Sequence, residues 1–222
     1  MFSPRLNRRL LRHHFPIGTA VLICGAALYV TRPYPDMVSR LSFASAYPAL
    51  ILIAATLLIG PLKFLFGVPL AASLDFRRDT GIWAGMAGIF HAGIGQCVHL
   101  RGRPWLYYIY ENWRQTHLFP VRHDVFGLAN DTGLAATLIL IVLLATSNDA
   151  SLRKLGTPGW KKLQRWNYYC FALTAVHTFA YQEGVESQQV PFLATAIATV
   201  LITLVLQLAG LRARRRALNL AE

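Results

Sequence analysis

Acidic residues are scarce in this chain, with 10 Asp and Glu among 222 residues against 22 Lys and Arg. Charged residues of both signs reach only 14%, where a soluble globular chain carries about 25%. So few charges cannot clothe the surface of a soluble domain of this size. The three cysteines, Cys24, Cys97 and Cys170, stand far apart with no CxxC pair, which argues against a disulfide framework and a zinc site. There is no Gly-rich dinucleotide fingerprint, and no stretch long enough for a separate flavin or nicotinamide domain. Internal repeats, low-complexity tracts and long polar segments are also missing.

What is present is apolar and basic. The AVILMFWYC set makes up 55% and the formal charge is +12, with a mean hydropathy of +0.39. In a soluble protein that charge would point to nucleic acid. In so apolar a chain it reads as basic loops against a membrane surface, so lipid and not nucleic acid is the expected partner. A bilayer core about 30 Å thick needs roughly 20 apolar residues of helix. Six stretches qualify, at about 15–31, 47–67, 80–100, 125–147, 166–183 and 190–211. The expected fold is therefore an all-α, six-span transmembrane helical bundle forming one membrane domain over 1–222. The first stretch follows the basic segment Arg5 to Arg12 and mimics a signal peptide. Without a convincing A-x-A site it reads as a first span.

Lys and Arg counts orient the bundle. Sixteen fall at the N-terminus, the second-to-third and fourth-to-fifth connections and the C-terminal tail. The other side holds six: Arg32, Arg40, Arg101, Arg103, Arg114 and Arg122. Both termini are thus expected in the cytoplasm of a multi-pass protein, with a bacterial inner membrane as its location. The connection 101–124 lies on the outer side. Its Trp105, Tyr107, Tyr108, Tyr110 and Trp113 suit either a belt on the membrane surface or a docking surface.

An ionisable side chain inside a span is costly and marks a candidate site. His13 and His14 belong to the basic N-terminus, His117 and His123 to the outer loop, and His99 to the outer end of the third span. His91 and His177 differ, each lying well within an apolar span. His91 follows Arg78 by 13 residues and His177 follows Arg165 by 12. Both imidazoles then sit about 18–20 Å along outward-running helices. Two level histidines on two helices suit the axial positions of one haem iron. Small residues at helical spacing, Ala84, Gly88 and Gly95 beside His91 and Cys170, Thr174 and Ala180 around His177, leave room for a macrocycle. They equally permit close helix packing, and the histidines themselves could be a hydrogen-bonded pair joining two helices. Spacing alone leaves both readings open. Asp131, beside Asn130, reads either as an intramembrane acid or as the cap opening the fourth span at Thr132, and the cap is favoured. Gln96 and Gln182 stand near outer helix ends, where a quinone or a propionate could accept hydrogen bonds.

Two stretches carry a family resemblance. RRDTGIWAGMAGIFH over 77–91 has a basic pair, a Gly-Ile-Trp and a histidine. LLATSNDASLRKLGTPGWKKLQRWNYYCFALTAVH over 143–177 has Thr-Ser, Arg-x-Leu-Gly and Trp-x-x-Leu before its histidine. Together they resemble the ferric-reductase-like transmembrane family, six-helix proteins holding b-type haem between their third and fifth helices. The nearest branch is the haem-binding membrane subunit serving a periplasmic methionine sulfoxide reductase. The resemblance implies that His91 and His177 are haem ligands. It also exposes a departure, because the family usually has a histidine directly after Trp-x-x-Leu, where this chain has Gln164. Glutamine is a poor iron ligand, so one haem b is expected and a second, nearer the cytoplasm, is in doubt. Arg78 lies at the equivalent depth of the third span, as a propionate partner or a plain positive-inside residue.

The expected function is a membrane electron carrier. Electrons would arrive from a separate flavin reductase or a quinone and leave to an outer-face acceptor, either a periplasmic oxidoreductase or ferric iron. FMN or a quinone stays a possible further cofactor that no motif supports. The rival from another class is a small transporter or scaffold whose histidines bind protons or pack, and it predicts a colourless protein.

Overall fold

The computed structural model describes residues 4–31, 34–66, 74–184 and 190–219. Arg32 and the end of the second predicted span at residue 67 lie outside them. The described chain is helical: α1 Pro4–Thr31, α2 Met37–Phe66, α3 Leu74–Gly95, α4 Val125–Ala145, α5 Asp149–Gln164, α6 Trp166–Gly184 and α7 Val190–Asn219. Each of the six predicted apolar stretches is helix over most of its described length, the third giving way to turns after Gly95.

Four of these helices, α1, α2, α4 and α7, are long and apolar enough to cross a membrane. The other two predicted spans, α3 and α6, are 22 and 19 residues long, and their polarity sets them apart. Arg77, Arg78, Asp79 and His91 lie on α3, and Asn167, Thr174, His177 and Gln182 on α6. Of the six predicted spans, the two that carry the candidate histidines are the two without a long enough apolar window.

α2 packs along α3, and α4 along α6, with α7 against α2. Their shared core is built from Leu50, Ile53 and Leu57 of α2, Ala84 of α3, Ala136 and Leu140 of α4 and Phe171 of α6. Outward-facing apolar side chains, among them Leu22, Val30, Leu138 and Val205, are more than half exposed. An apolar exterior around a packed interior suits lipid as the solvent.

α1 is tied to α3 by charge. Asp79 is fully buried and binds Arg9, His13 Nδ1 at 2.7 Å and His14 Nε2 at 3.2 Å. A second pair, Arg5 with Asp75 at 2.8 Å, adds to it. His13 and His14, read from the sequence as part of a basic tail, are thus partners of a buried carboxylate. A π-type turn over Leu10–His14 lies where they meet it.

Two sequence readings need correcting. Asp131 does not cap α4. The helix begins six residues earlier, with Asp124 accepting from Gly127 N–H at 2.7 Å, and Asp131 is an exposed residue within it. The approach to the sixth helix, read as a connection, is the helix α5, capped by Asn148 and interrupted at Gly156, where φ is +65°. Only glycine adopts that conformation readily.

The 101–124 connection is folded rather than draped. Short 3-10 turns over Leu100–Gly102 and Pro104–Tyr107, a helical turn at Trp113–Thr116 and an antiparallel bridge between Ile109 and Val121 organise it. Tyr107 anchors it with no exposure at all, and burial pushes its phenol pKa up. Its hydroxyl accepts from His99 N–H at 2.7 Å and donates to the Gly95 carbonyl at 3.1 Å. Tyr107→Phe leaves a buried N–H without its acceptor, so a loss of about 1–3 kcal/mol of stability is expected in chemical denaturation followed by circular dichroism.

Candidate functional site: two facing histidines

α3 and α6 bring the His91 and His177 rings together edge to face. Their ring centres are 6.0 Å apart with planes inclined at 72°. His91 Nδ1 lies 2.9 Å from the Ser42 carbonyl oxygen on α2. His177 Nδ1 lies 2.7 Å from the Ala129 carbonyl oxygen on α4. A carbonyl only accepts, so each Nδ1 carries the proton and each Nε2 keeps its lone pair. Two neutral imidazoles held this way, each oriented by a hydrogen bond behind it, are a ready pair of metal ligands.

The spacing can be tested against a shared metal. A metal–imidazole bond is about 2 Å, and a ring centre lies about 1.2 Å behind its nitrogen, so ligands on opposite sides of one ion have centres about 6.4 Å apart. The observed 6.0 Å matches. Both rings line a cavity of about 190 Å³. Gly88, predicted as a small neighbour of His91, lines it, and so do Thr174, Gln96 and Gln182. Cys170, also predicted near His177, is instead fully buried in the core. The residues present fit an axial pair for a haem iron.

Three contributors were not found from the sequence. The Ser42 carbonyl escaped because the predicted second span began at 47, whereas α2 begins at Met37. The Ala129 carbonyl and Gly133 escaped because neither offers a side chain that stands out within the predicted 125–147 span. A Cβ at Gly133 would lie 2.7 Å from His177 Nδ1, so only glycine lets α6 seat its imidazole against α4. The signal was present as Ala129 and Gly133 at i, i+4, a small-xxx-small spacing.

Arg78 and Gln164 are not part of this cavity. They line a second one of about 500 Å³ toward the other end of the bundle. Leu140 lines both cavities. Arg78 is ion-paired with Asp149 and lies 3.5 Å from Asp75. Its guanidinium holds the Asp149 carboxyl below the usual carboxylate range. On the opposite side of the histidines, rings succeed one another toward the 101–124 fold. Tyr181 lies 5.1 Å from His177, His99 stacks on Tyr181 at 6.4 Å, and Tyr107 is 6.3 Å from His99.

Residues 45–175 match the ferric reductase like transmembrane component family. The chain belongs to this ferric-reductase-like membrane family. The match includes His91 and ends two residues before His177. The chain is also 31% identical over 155 residues to the protein-methionine-sulfoxide reductase heme-binding subunit MsrQ of Deinococcus radiodurans, covering 69% of this chain and 67% of that protein. Membership in a membrane family and the apolar helices together make this a multi-pass membrane protein. The ferric-reductase-like family and the relative's name agree with a haem-binding electron-transfer subunit.

Proposed function

We propose that the protein is a six-span carrier of electrons across a bacterial inner membrane, with both termini in the cytoplasm and one b-type haem held by His91 and His177. The observation that carries this reading is the pair of facing imidazoles at 6.0 Å, each with Nδ1 bound to a backbone carbonyl. When bound, haem supplies a one-electron ferric–ferrous couple. His91 and His177 would hold the group from both sides, and it would then supply electron transfer rather than chemistry on a bound substrate. Ser42 and Ala129 fix the tautomers and the ring orientations. Gly133 and Gly88 keep the neighbouring backbones small, and the apolar core around Leu50 and Leu140 excludes water.

Electrons arrive from a separate reductase or a quinone and leave on the side of the 101–124 fold. The rings of Tyr181, His99 and Tyr107 bring that fold to the edge of the histidine pair. The relative's name, a heme-binding subunit of a protein-methionine-sulfoxide reductase, supports a periplasmic oxidoreductase as the acceptor. The family description makes ferric iron the second choice.

Haem quantitation and a reduced-minus-oxidised spectrum on detergent-purified protein test the reading directly. One haem per chain and a sharp spectrum are expected, and a colourless preparation from haem-replete cells rejects it. Gln164 lines the other cavity, so Gln164→Ala is expected to leave the haem content unchanged. A drop to half would show a second haem there.

A further inference from the structure

The second cavity differs from the first in its charge. Of its lining residues, Lys63, Arg77, Arg78, Lys161, Arg165 and Arg214 are cationic, and no carboxylate lines it among the described residues. Arg78 is offset by Asp149 and Asp75. No ion pair joins the other five to an acid among the described residues. Arg77 is among the less exposed of them. A guanidinium drawn away from water without a counter-charge is unfavourable.

The unsatisfied polar atoms point the same way. Arg78 is 7% exposed, and its Nε–H is buried without a partner, as is the Gln164 Nε2 amide. Both are donors, so the missing occupant is rich in acceptors. The cavity wall also runs onto apolar side chains at the surface of α2 and α7, where Phe64 is 50% and Leu211 52% exposed. An occupant with an anionic, acceptor-rich head and an apolar body satisfies both parts. Basic pockets between membrane helices commonly take lipid headgroups of this kind.

We infer that this cavity binds the phosphate of an anionic phospholipid, with Arg77, Arg78 and Gln164 facing the headgroup and the acyl chains lying over Phe64 and Leu211. The site is separate from the histidine pair, and its test does not depend on haem.

Native mass spectrometry of the delipidated full chain, titrated with dioleoyl phosphatidylglycerol or dioleoyl phosphatidylcholine, tests this. Phosphatidylglycerol is expected to bind at least about tenfold more tightly, given about fivefold per basic group. The Arg77→Gln/Arg214→Gln variant is expected to weaken phosphatidylglycerol by about thirtyfold and leave phosphatidylcholine unchanged. Should that variant fail to fold, Lys161→Gln/Arg214→Gln, both exposed positions, gives the same comparison. Arg103→Gln/Arg114→Gln in the 101–124 fold is expected to change nothing. Equal binding of the two lipids, or phosphatidylglycerol binding indifferent to the cavity variants, overturns the inference. Glycerol 3-phosphate binding as tightly as phosphatidylglycerol overturns the lipid source and assigns the cavity to a soluble phosphate ester.

Discussion

His177→Ala is expected to abolish the haem spectrum, not merely to weaken it. Each imidazole would supply one of the two bonds that hold the haem, so the loss of either would release it. His91→Ala is expected to do the same. The double variant should be no worse than either single one, since residues that act as a unit are non-additive. The accompanying structural loss is small by comparison. His177 gives up one hydrogen bond to the Ala129 carbonyl, and such a bond contributes about 0.5–1.5 kcal/mol net. The expected result is therefore a colourless protein that keeps its helical circular dichroism and most of its thermal stability. A His177→Ala protein that retains the full sharp reduced band would remove His177 from the ligand set. One that simply unfolds would favour a hydrogen-bonded pair joining helices. The two measurements together distinguish a ligand from packing.

Much of this arrangement was legible in the sequence because lipid constrains a chain more simply than water does. Helix is the available way to satisfy a backbone in a bilayer short of a closed barrel, so each of the six apolar runs lies on a helix, although several ends differ, most of all at α2, which begins at Met37 where 47 was expected. His91 and His177 were legible for the same reason: an imidazole stands out in an apolar span, and equal distance from Arg78 and Arg165 put the two at one height. What stood behind them was not legible. The Ser42 and Ala129 groups are backbone carbonyls, which leave no mark in a residue pattern. Asp79 was not singled out from the sequence, yet it is the buried centre that binds Arg9, His13 and His14, contacts between positions far apart in sequence, 70 residues for Arg9 and 66 for His13. The 101–124 segment was readable only as amphipathic. Its fold rests on Tyr107 and its hydroxyl contacts, a tertiary matter that periodicity does not encode. Arg78 and Gln164 were placed nearer the cytoplasm than the histidine pair, and they line a separate cavity together; depth along a helix was enough to set them apart, but not to say what that cavity holds.

Gly133→Ala is expected to lower haem occupancy although alanine is the better helix former. Two effects of opposite sign meet at this position. Replacing an interior helical glycine by alanine favours the helix by about 0.8–1.0 kcal/mol. The added Cβ, however, would stand 2.7 Å from His177 Nδ1 and 2.9 Å from its Cε1. The imidazole cannot yield freely, because Nδ1 is bound to the Ala129 carbonyl one helical turn away on the same α4. Overpacking of this kind costs about 1–3 kcal/mol, which outweighs the gain in propensity. The strain falls on the ring, so global stability should change little while the ligand geometry is lost. A several-fold fall in haem per chain is expected for Gly133→Ala, and near-complete loss for Gly133→Val. Gly93→Ala serves as the comparison, since a Cβ there meets nothing within 4 Å, and it should keep full haem content. Gly133→Ala with unaltered haem and an unaltered spectrum would mean that His177 does not need its seat against α4, and the orienting role given to the Ala129 carbonyl would fall with it.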